Sequence, residues 1–226
     1  MNTNLKNHRY DITFLRAISV IFVILFHSEF EIFKWGYVGV DIFFVISGYL
    51  IFKILDQNTS NVIDFYDRRI RRIFPVLLSV IIVILIFSLF NGIPYQQILI
   101  AESSISAIFF ASNFYYDSIN QNYFLNNLNV LNENPLLHLW SLSIELQFYL
   151  IFPIIFFFFK KKNNLLIFFL IIFVSFTIFL SQWGGNLSFY YPYFEKKFIF
   201  FSPPNWLSFY SSLTRIGEIS LGVLAY

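Results

Sequence analysis

The sequence contains no cysteine, and only three of its 226 residues are histidines. The absence of cysteine excludes disulfides, thiolate nucleophiles and cysteine-bound metal ions. The histidines are His8, His27 and His138, too few and too scattered along the chain to form a recognisable metal-binding motif. We therefore expect no metal site and no bound cofactor.

Charge is also scarce. Charged residues make up 12% of the chain, whereas an average soluble domain has about 25%. The net charge of only +2 gives no reason to expect a nucleic-acid partner. Hydrophobic residues reach 58% and the mean hydropathy is +0.67. A soluble core could not bury so much apolar surface, so the composition indicates an integral membrane protein surrounded by membrane lipid.

Long apolar runs recur along the chain and lack the alternation of barrel strands, so they predict transmembrane helices. The strong runs cover residues 12–28, 38–55, 73–90, 142–159, 165–182 and a last run that opens near Leu213. We expect an all-α, polytopic helical bundle with about five or six spans. A weaker run at 98–115 contains Glu102 and several serines, and we expect it to be interfacial or re-entrant. Since the last run has barely begun at Tyr226, we expect residues 1–226 to be the N-terminal part of a larger membrane domain.

Lysine and arginine predict the orientation through the positive-inside rule. Three basic groups lie before the first run, after the second and after the fourth: Lys6 with Arg9, the arginines of 68–72, and the lysines of 160–162. Placing all three inside puts the N-terminus in the cytoplasm and residues 29–37, 183–212 and most of 91–141 outside. The first run is not followed by a small-residue cleavage site, so we expect a retained span in the bacterial inner (cell) membrane.

Charged residues inside apolar runs mark sites, pathways or structural bridges, because each costs about 2.5–3.5 kcal/mol at a helix centre. Here they are Arg16, Asp41, Glu145, Arg215 and Glu218. Arg16 and His27 are eleven residues apart, which places them on one face of a helix. The alternative is that Arg16 only extends to the inner interface and His27 only sits in the outer one.

Two carboxylates open their runs from the outer side, at about the predicted depth of His27. They are Asp41 and Glu145, and Ser141 lies one helical turn before Glu145. A histidine beside a carboxylate suits general-base catalysis, although hydrogen bonds between spans would use the same residues. On the inner side, Arg68, Arg69, Arg71 and Arg72 suit phosphate binding. The alternative for these arginines is a purely topological role.

Several sequence blocks, in this order, resemble the bacterial membrane acyltransferase-3 family, of the type that acylates O-antigen or other surface polysaccharide. They are DITFLRAISVIFVILFH, GYVGVDIFFVISGYLI, FYDRRIRRIFP, ENPLLHLWSLSIELQFYLIFP and FYSSLTRIGEISLGVLAY. The resemblance implies transfer of an acyl group, often acetyl, from cytoplasmic acyl-CoA (acetyl-CoA) to a hydroxyl group. The implied acceptor is a surface glycan, such as lipopolysaccharide, or a lipid-linked oligosaccharide.

Carried onto this sequence, the resemblance implies catalytic roles for His27 and Glu145. The implied substrate-binding residues are Arg16, Asp41, Arg68, Arg69, Arg71, Arg72, Ser141, Arg215 and Glu218. Leu146 and Gln147 follow Glu145 at a place where the family often has a second acidic residue, so a second acid is not expected here. Two alternatives stay open from the sequence: a transporter or flippase component, and an inactive fragment of the acyltransferase.

Overall fold

The computed structural model describes residues 9–28, 31–33, 35–57, 62–119, 134–159, 167, 169–177 and 211–226, and these residues form helices without strands. The helices are α1 (Tyr10–His27), α2 (Val38–Gln57), α3 (Val62–Asn91), α4 (Pro94–Ile108), α5 (Ser112–Ile119), α6 (Leu139–Phe159) and α7 (Ser212–Leu224). Residues 169–177 are also helical. The prediction of an all-α fold is confirmed.

Four helices in the described part of the chain are long and apolar enough to cross a membrane: α1, α2, α3 and α6. They confirm the first four strong runs as candidate spans. The run at 165–182 lies partly outside the described residues, and α7 contains 13 residues. The total of five or six spans therefore stays a prediction.

The third helix begins earlier than predicted. The apolar run suggested a start at Ile73, with the arginines in a loop, but α3 starts at Val62 and is 30 residues long. Asp64 lies in the first turn, where a negative charge favours the helix N-terminus. Arg71 pairs with Asp67 one turn earlier at 2.9 Å. The arginines consequently project from the first turns of a helix, and their relative positions are fixed.

The weaker run at 98–115 does not form one helix. It is divided between α4 and α5 by a turn in which Phe110 has a φ of 57°. This left-handed conformation is uncommon outside glycine, so surrounding contacts must hold it in place. With 15 and 8 residues, the two helices are each too short to cross a bilayer alone. The break agrees with the expectation that this run is not an ordinary span.

Two glycines bring α2 and α7 into close contact. A Cβ atom on Gly48 would lie 1.8 Å from the Ile219 carbonyl oxygen, and one on Gly222 would lie 1.8 Å from that of Val45. Small residues at crossings are typical of membrane helix pairs, in which backbone packing replaces the hydrophobic effect. The crossing fixes α7, which carries two of the candidate site residues, against α2, which carries a third.

Candidate active site

The predicted site residues fall into levels along the bundle. The end of α1 and the start of α2 follow one another closely in the chain, so His27 and Asp41 lie at one end. The start of α6 is at this end too, because the Trp140 ring meets Phe44 of α2. At the other end, the start of α3 packs on the second half of α6, where Tyr66 donates a hydrogen bond to the Leu150 carbonyl at 2.6 Å.

An ion-pair cluster joins α2 to α7 at the first end. Nη1 of Arg215 lies 2.8 Å from Oδ1 of Asp41 and 2.7 Å from Oε1 of Glu218. The guanidinium also lies 5.9 Å from the centre of the Trp140 ring on α6. Three residues singled out from the sequence are therefore brought together. Because the cluster is half-buried, its charges attract one another more strongly than those of an exposed pair. Removing one partner is correspondingly more costly.

Glu145 lies deeper than predicted. Its carboxylate accepts hydrogen bonds from the hydroxyls of Ser47, at 2.5 Å, and Tyr149. Ser47 lies six residues beyond Asp41 on α2, which is about 9 Å along the helix axis. Glu145 is only 6% exposed, and its hydrogen bonds connect α2 to α6 in the middle of the bundle. Sequence reasoning missed Ser47 and Tyr149, although Tyr149 stands one turn after Glu145.

His27 stands at the last residue of α1 and is exposed. Its Nδ1 lies 2.8 Å from the Val23 carbonyl oxygen, so Nδ1 must carry a proton to make this hydrogen bond. In the neutral ring, Nε2 then keeps a lone pair that can accept a proton from a substrate. Among the described residues, no carboxylate hydrogen-bonds to His27. The two expected partners are engaged elsewhere, Asp41 with Arg215 and Glu145 with Ser47.

His138, which the sequence analysis left out of the site, is an electrostatic neighbour of His27. It lies immediately before α6, and part of its side chain reaches the surface. Burial among the surrounding atoms lowers the pKa of His138, and the nearby His27 lowers it further, while a hydrogen bond to the Pro135 backbone opposes both effects. Its position in the ENPLLHLW block was the only signal. Ser141, expected as a substrate contact, donates to the His138 carbonyl at 3.0 Å.

Arg16 is half-buried between α1 and α2. Its guanidinium lies 5.0 Å from the centre of the Phe43 ring, and it has no hydrogen-bond acceptor among the described residues. A cation over an aromatic face is held in place without using its N–H groups. Arg16 therefore presents oriented donors, which is what binding a substrate carbonyl or phosphate requires.

The α3 arginines are in three different situations. Arg69 lies over two aromatic rings, 4.6 Å from that of Tyr149 and 5.5 Å from that of Phe65. Arg71 is paired with Asp67. Arg68 and Arg72 are exposed and have no partner among the described residues. Since they are four residues apart, they share one face of α3, and of the four arginines they are the pair best placed to bind a phosphate.

Comparison with known proteins places this arrangement in a family. A family model described as an acyltransferase domain matches residues 9–214. O-acetyltransferase OatA of Staphylococcus aureus is 42% identical over 146 residues, which are 62% of this chain and 23% of that protein. Peptidoglycan O-acetyltransferase OatA of Listeria monocytogenes is 42% identical over 146 residues, 62% of this chain and 22% of that protein.

The chain thus matches about a quarter of the length of these relatives. No solved structure matches it. The family match covers α1 to α6, including His27, Glu145 and the α3 arginines, and ends just before Arg215. Since it covers most of the chain, the protein belongs to the acyltransferase-3 family, as the sequence blocks predicted.

Proposed function

We propose that the protein takes part in O-acetylation of a cell-surface glycan, with acetyl-CoA as the donor and peptidoglycan as the favoured acceptor. The observation that carries the proposal is the acyltransferase-domain match over residues 9–214. The relative named as a peptidoglycan O-acetyltransferase favours that glycan over lipopolysaccharide. The protein lies in the cell membrane with its N-terminus and α3 arginines on the cytoplasmic side, where acetyl-CoA is available.

In this proposal the two ends of the bundle bind different substrates. Arg68 and Arg72 bind the phosphates of acetyl-CoA through charge-assisted hydrogen bonds. His27 lies at the opposite end and accepts the proton of the acceptor hydroxyl at Nε2. The hydroxyl oxygen attacks the thioester carbonyl carbon, the C–S bond breaks, and the CoA sulfur leaves and takes up a proton. Arg16 lies on the same face of α1 as His27, eleven residues earlier in the chain, and it contacts the donor between the two ends.

The remaining residues position this machinery. Glu145 fixes α6 to α2 through Ser47, and it orients the Tyr149 hydroxyl beneath Arg69. Asp41 and Glu218 hold Arg215 at the end where the acceptor binds. Ser141 stabilises the backbone at His138. Most of these contacts are between helices or at a helix start, so these residues affect transfer through the arrangement of the bundle.

The test measures acetate released by mild base from purified surface glycan. Strains with the gene, without it, and with the gene restored on a plasmid are compared, and membranes from each are incubated with acetyl-labelled acetyl-CoA. We expect glycan acetate and label incorporation to disappear with the gene and return with it. Equal glycan acetate in all strains, with no label transferred by membranes, would contradict the proposal. Label on a molecule other than peptidoglycan would change the acceptor only.

A further inference from the structure

A closed ring of hydrogen bonds joins α5, α6 and α7. Nε2 of Gln147 donates to Oδ1 of Asn113 at 2.9 Å. Nδ2 of Asn113 donates to the Ser212 hydroxyl at 2.9 Å, and this hydroxyl donates to Oε1 of Gln147 at 2.6 Å. Within the ring each side chain donates once and accepts once. Asn113 is fully buried, so the loss of any one hydrogen bond in this ring would leave a buried donor or acceptor unsatisfied, at a cost in stability.

Gln147 makes one more hydrogen bond, to the break between α4 and α5. Its Nε2 also donates to the carbonyl oxygen of Phe110 at 2.7 Å, and Phe110 is the residue with a φ of 57°. Both partners of Nε2 are oxygen atoms that only accept. The position therefore requires two donors and one acceptor on one side chain, which an amide has and a carboxylate of the same shape lacks.

The ring lies next to the ion-pair cluster. Ser212 is three residues before Arg215, which is close to one turn of α7. Arg215 is in turn bonded to Asp41 on α2. The ring determines where α7 starts relative to α6, and so where the Arg215 guanidinium lies relative to Asp41 and the Trp140 ring.

We propose that Gln147 is a positioning residue for acetyl transfer, which acts through Ser212 on the Arg215–Asp41–Glu218 cluster and requires its amide donors to do so. This proposal rests on the proposed function. It gives a distinctive expectation for Gln147→Glu. The protonated glutamate keeps one donor and supports the ring, whereas the ionised form places a negative charge against two oxygen atoms. Transfer by this variant is therefore present at low pH and lost as pH rises.

Other titratable groups surround the ring and must be separated from this effect. On α6 and the elements packed around it, these groups include Asp41, Tyr66, Arg69, Glu102, Tyr115, Tyr116, Asp117, His138, Glu145, Tyr149, Arg215 and Glu218. Among the described residues, Gln147 forms hydrogen bonds to Phe110, Asn113 and Ser212 and to none of these titratable groups. They are also common to wild type and variants. The ratio of variant to wild-type rate at each pH therefore isolates residue 147.

The experiment measures acetyl transfer by isolated membranes that carry the whole protein, between about pH 5.5 and about pH 9.5, a window that includes the pKa values of about 8 to 9 known for buried glutamates. We expect the rate of Gln147→Glu relative to wild type to fall about tenfold or more across the window. Gln147→Met has no donor, and we expect a low relative rate throughout. A flat ratio for Gln147→Glu, or a wild-type rate for Gln147→Met, would overturn the proposal.

Gln97 supplies a matched control. It also donates from Nε2 to two carbonyl oxygens, those of Ser88 at 3.0 Å and Gly92 at 3.1 Å. These contacts join α3 to α4 and do not involve the Arg215 cluster. We expect the relative rate of Gln97→Glu to stay constant with pH. The same pH dependence in both variants would assign the effect to general helix packing and would overturn the specific role of Gln147.

A milder pair of variants keeps the test valid if the Gln147 proteins do not accumulate. Ser212→Ala removes the hydroxyl that connects the ring to α7, and Ser212→Thr restores it. We expect transfer to fall about tenfold in the first, at unchanged protein level, and to recover in the second. Wild-type transfer by Ser212→Ala would overturn the proposal. No transfer by the wild-type protein itself would instead identify a failure of the proposed function.

Discussion

The interior of the bundle and the first turns of α3 use polar side chains in opposite ways. Inside, the carboxyl group of Glu145 accepts hydrogen bonds from two hydroxyls, and Arg215 is held by two carboxylates. On α3, Arg68 and Arg72 are exposed and have no partner among the described residues. The interior is organised before any substrate arrives, whereas the α3 pair has unused donors. We infer that the interior fixes geometry and that the α3 face binds an anionic ligand.

The strongest test concerns the end of the bundle where, in the proposed function, a single group carries the chemistry. We expect His27→Ala to lower transfer by about a hundredfold or more, since a positioned base contributes about 10² to 10⁴. The protein should remain abundant, because His27 is exposed and its one hydrogen bond is to the carbonyl of its own helix. Glycan acetate and an immunoblot of the membranes measure the two quantities.

His8→Ala is the control for this experiment, because it removes a histidine that lies before the first span. It should leave glycan acetate unchanged. Wild-type acetate in cells with a stable His27→Ala protein would remove the catalytic role of His27 and leave it as a helix-end residue.

The second test addresses the α3 face. We expect Arg68→Ala combined with Arg72→Ala to raise the KM for acetyl-CoA about tenfold or more, with a smaller change in kcat, because a hydrogen bond to a charged group contributes about 1.5–3 kcal/mol. Arg71→Ala combined with Asp67→Ala removes a neighbouring ion pair without changing the net charge, and its KM should stay near the wild-type value. Donor titration with isolated membranes measures both. Equal KM values for the two double variants would assign Arg68 and Arg72 to membrane topology alone.

The two regions also differ in how far the sequence predicted them. Apolar runs are local signals, and they predicted α1, α2 and α6 to within a few residues. The start of α3 was wrong by eleven residues, from Ile73 to Val62. The reason is that a cluster of arginines was interpreted as a cytoplasmic loop, although arginine is a good helix former and Asp67 supports the helix from within.

The sequence singled out the candidate site residues by their type, but it did not predict which of them are paired. Arg215 and Glu218 are three residues apart, so their contact follows from helix geometry. The contact of Arg215 with Asp41 spans 174 positions, and that of Ser47 with Glu145 spans 98. Such contacts depend on how helices cross, and at the crossing of α2 with α7 the close approach at Gly48 and Gly222 is not revealed by any local pattern. The predicted pairing of His27 with a carboxylate assumed equal depth, and depth alone did not specify partners.

The smallest expected effect concerns His138, which lies outside the spans at the same end as His27. Burial and the neighbouring His27 lower its pKa below the usual value of about 6.5. The unfolded chain therefore binds a proton more readily than the folded protein, so stability falls as pH decreases through about 6.5 toward the lower folded pKa. His138→Gln removes the group that binds this proton, so it should reduce the loss of thermal stability between about pH 7.5 and about pH 5.5. Thermal unfolding of the detergent-solubilised protein measures it, and identical pH dependence in both proteins would contradict the prediction. The effect should be small because part of the side chain reaches solvent, which weakens the influence of its neighbours.

His27→Gln provides the companion measurement. Removal of the nearby imidazole should raise the pKa of His138. It should reduce the same loss of stability to a lesser degree, because burial, the larger cause of the lowered pKa, remains.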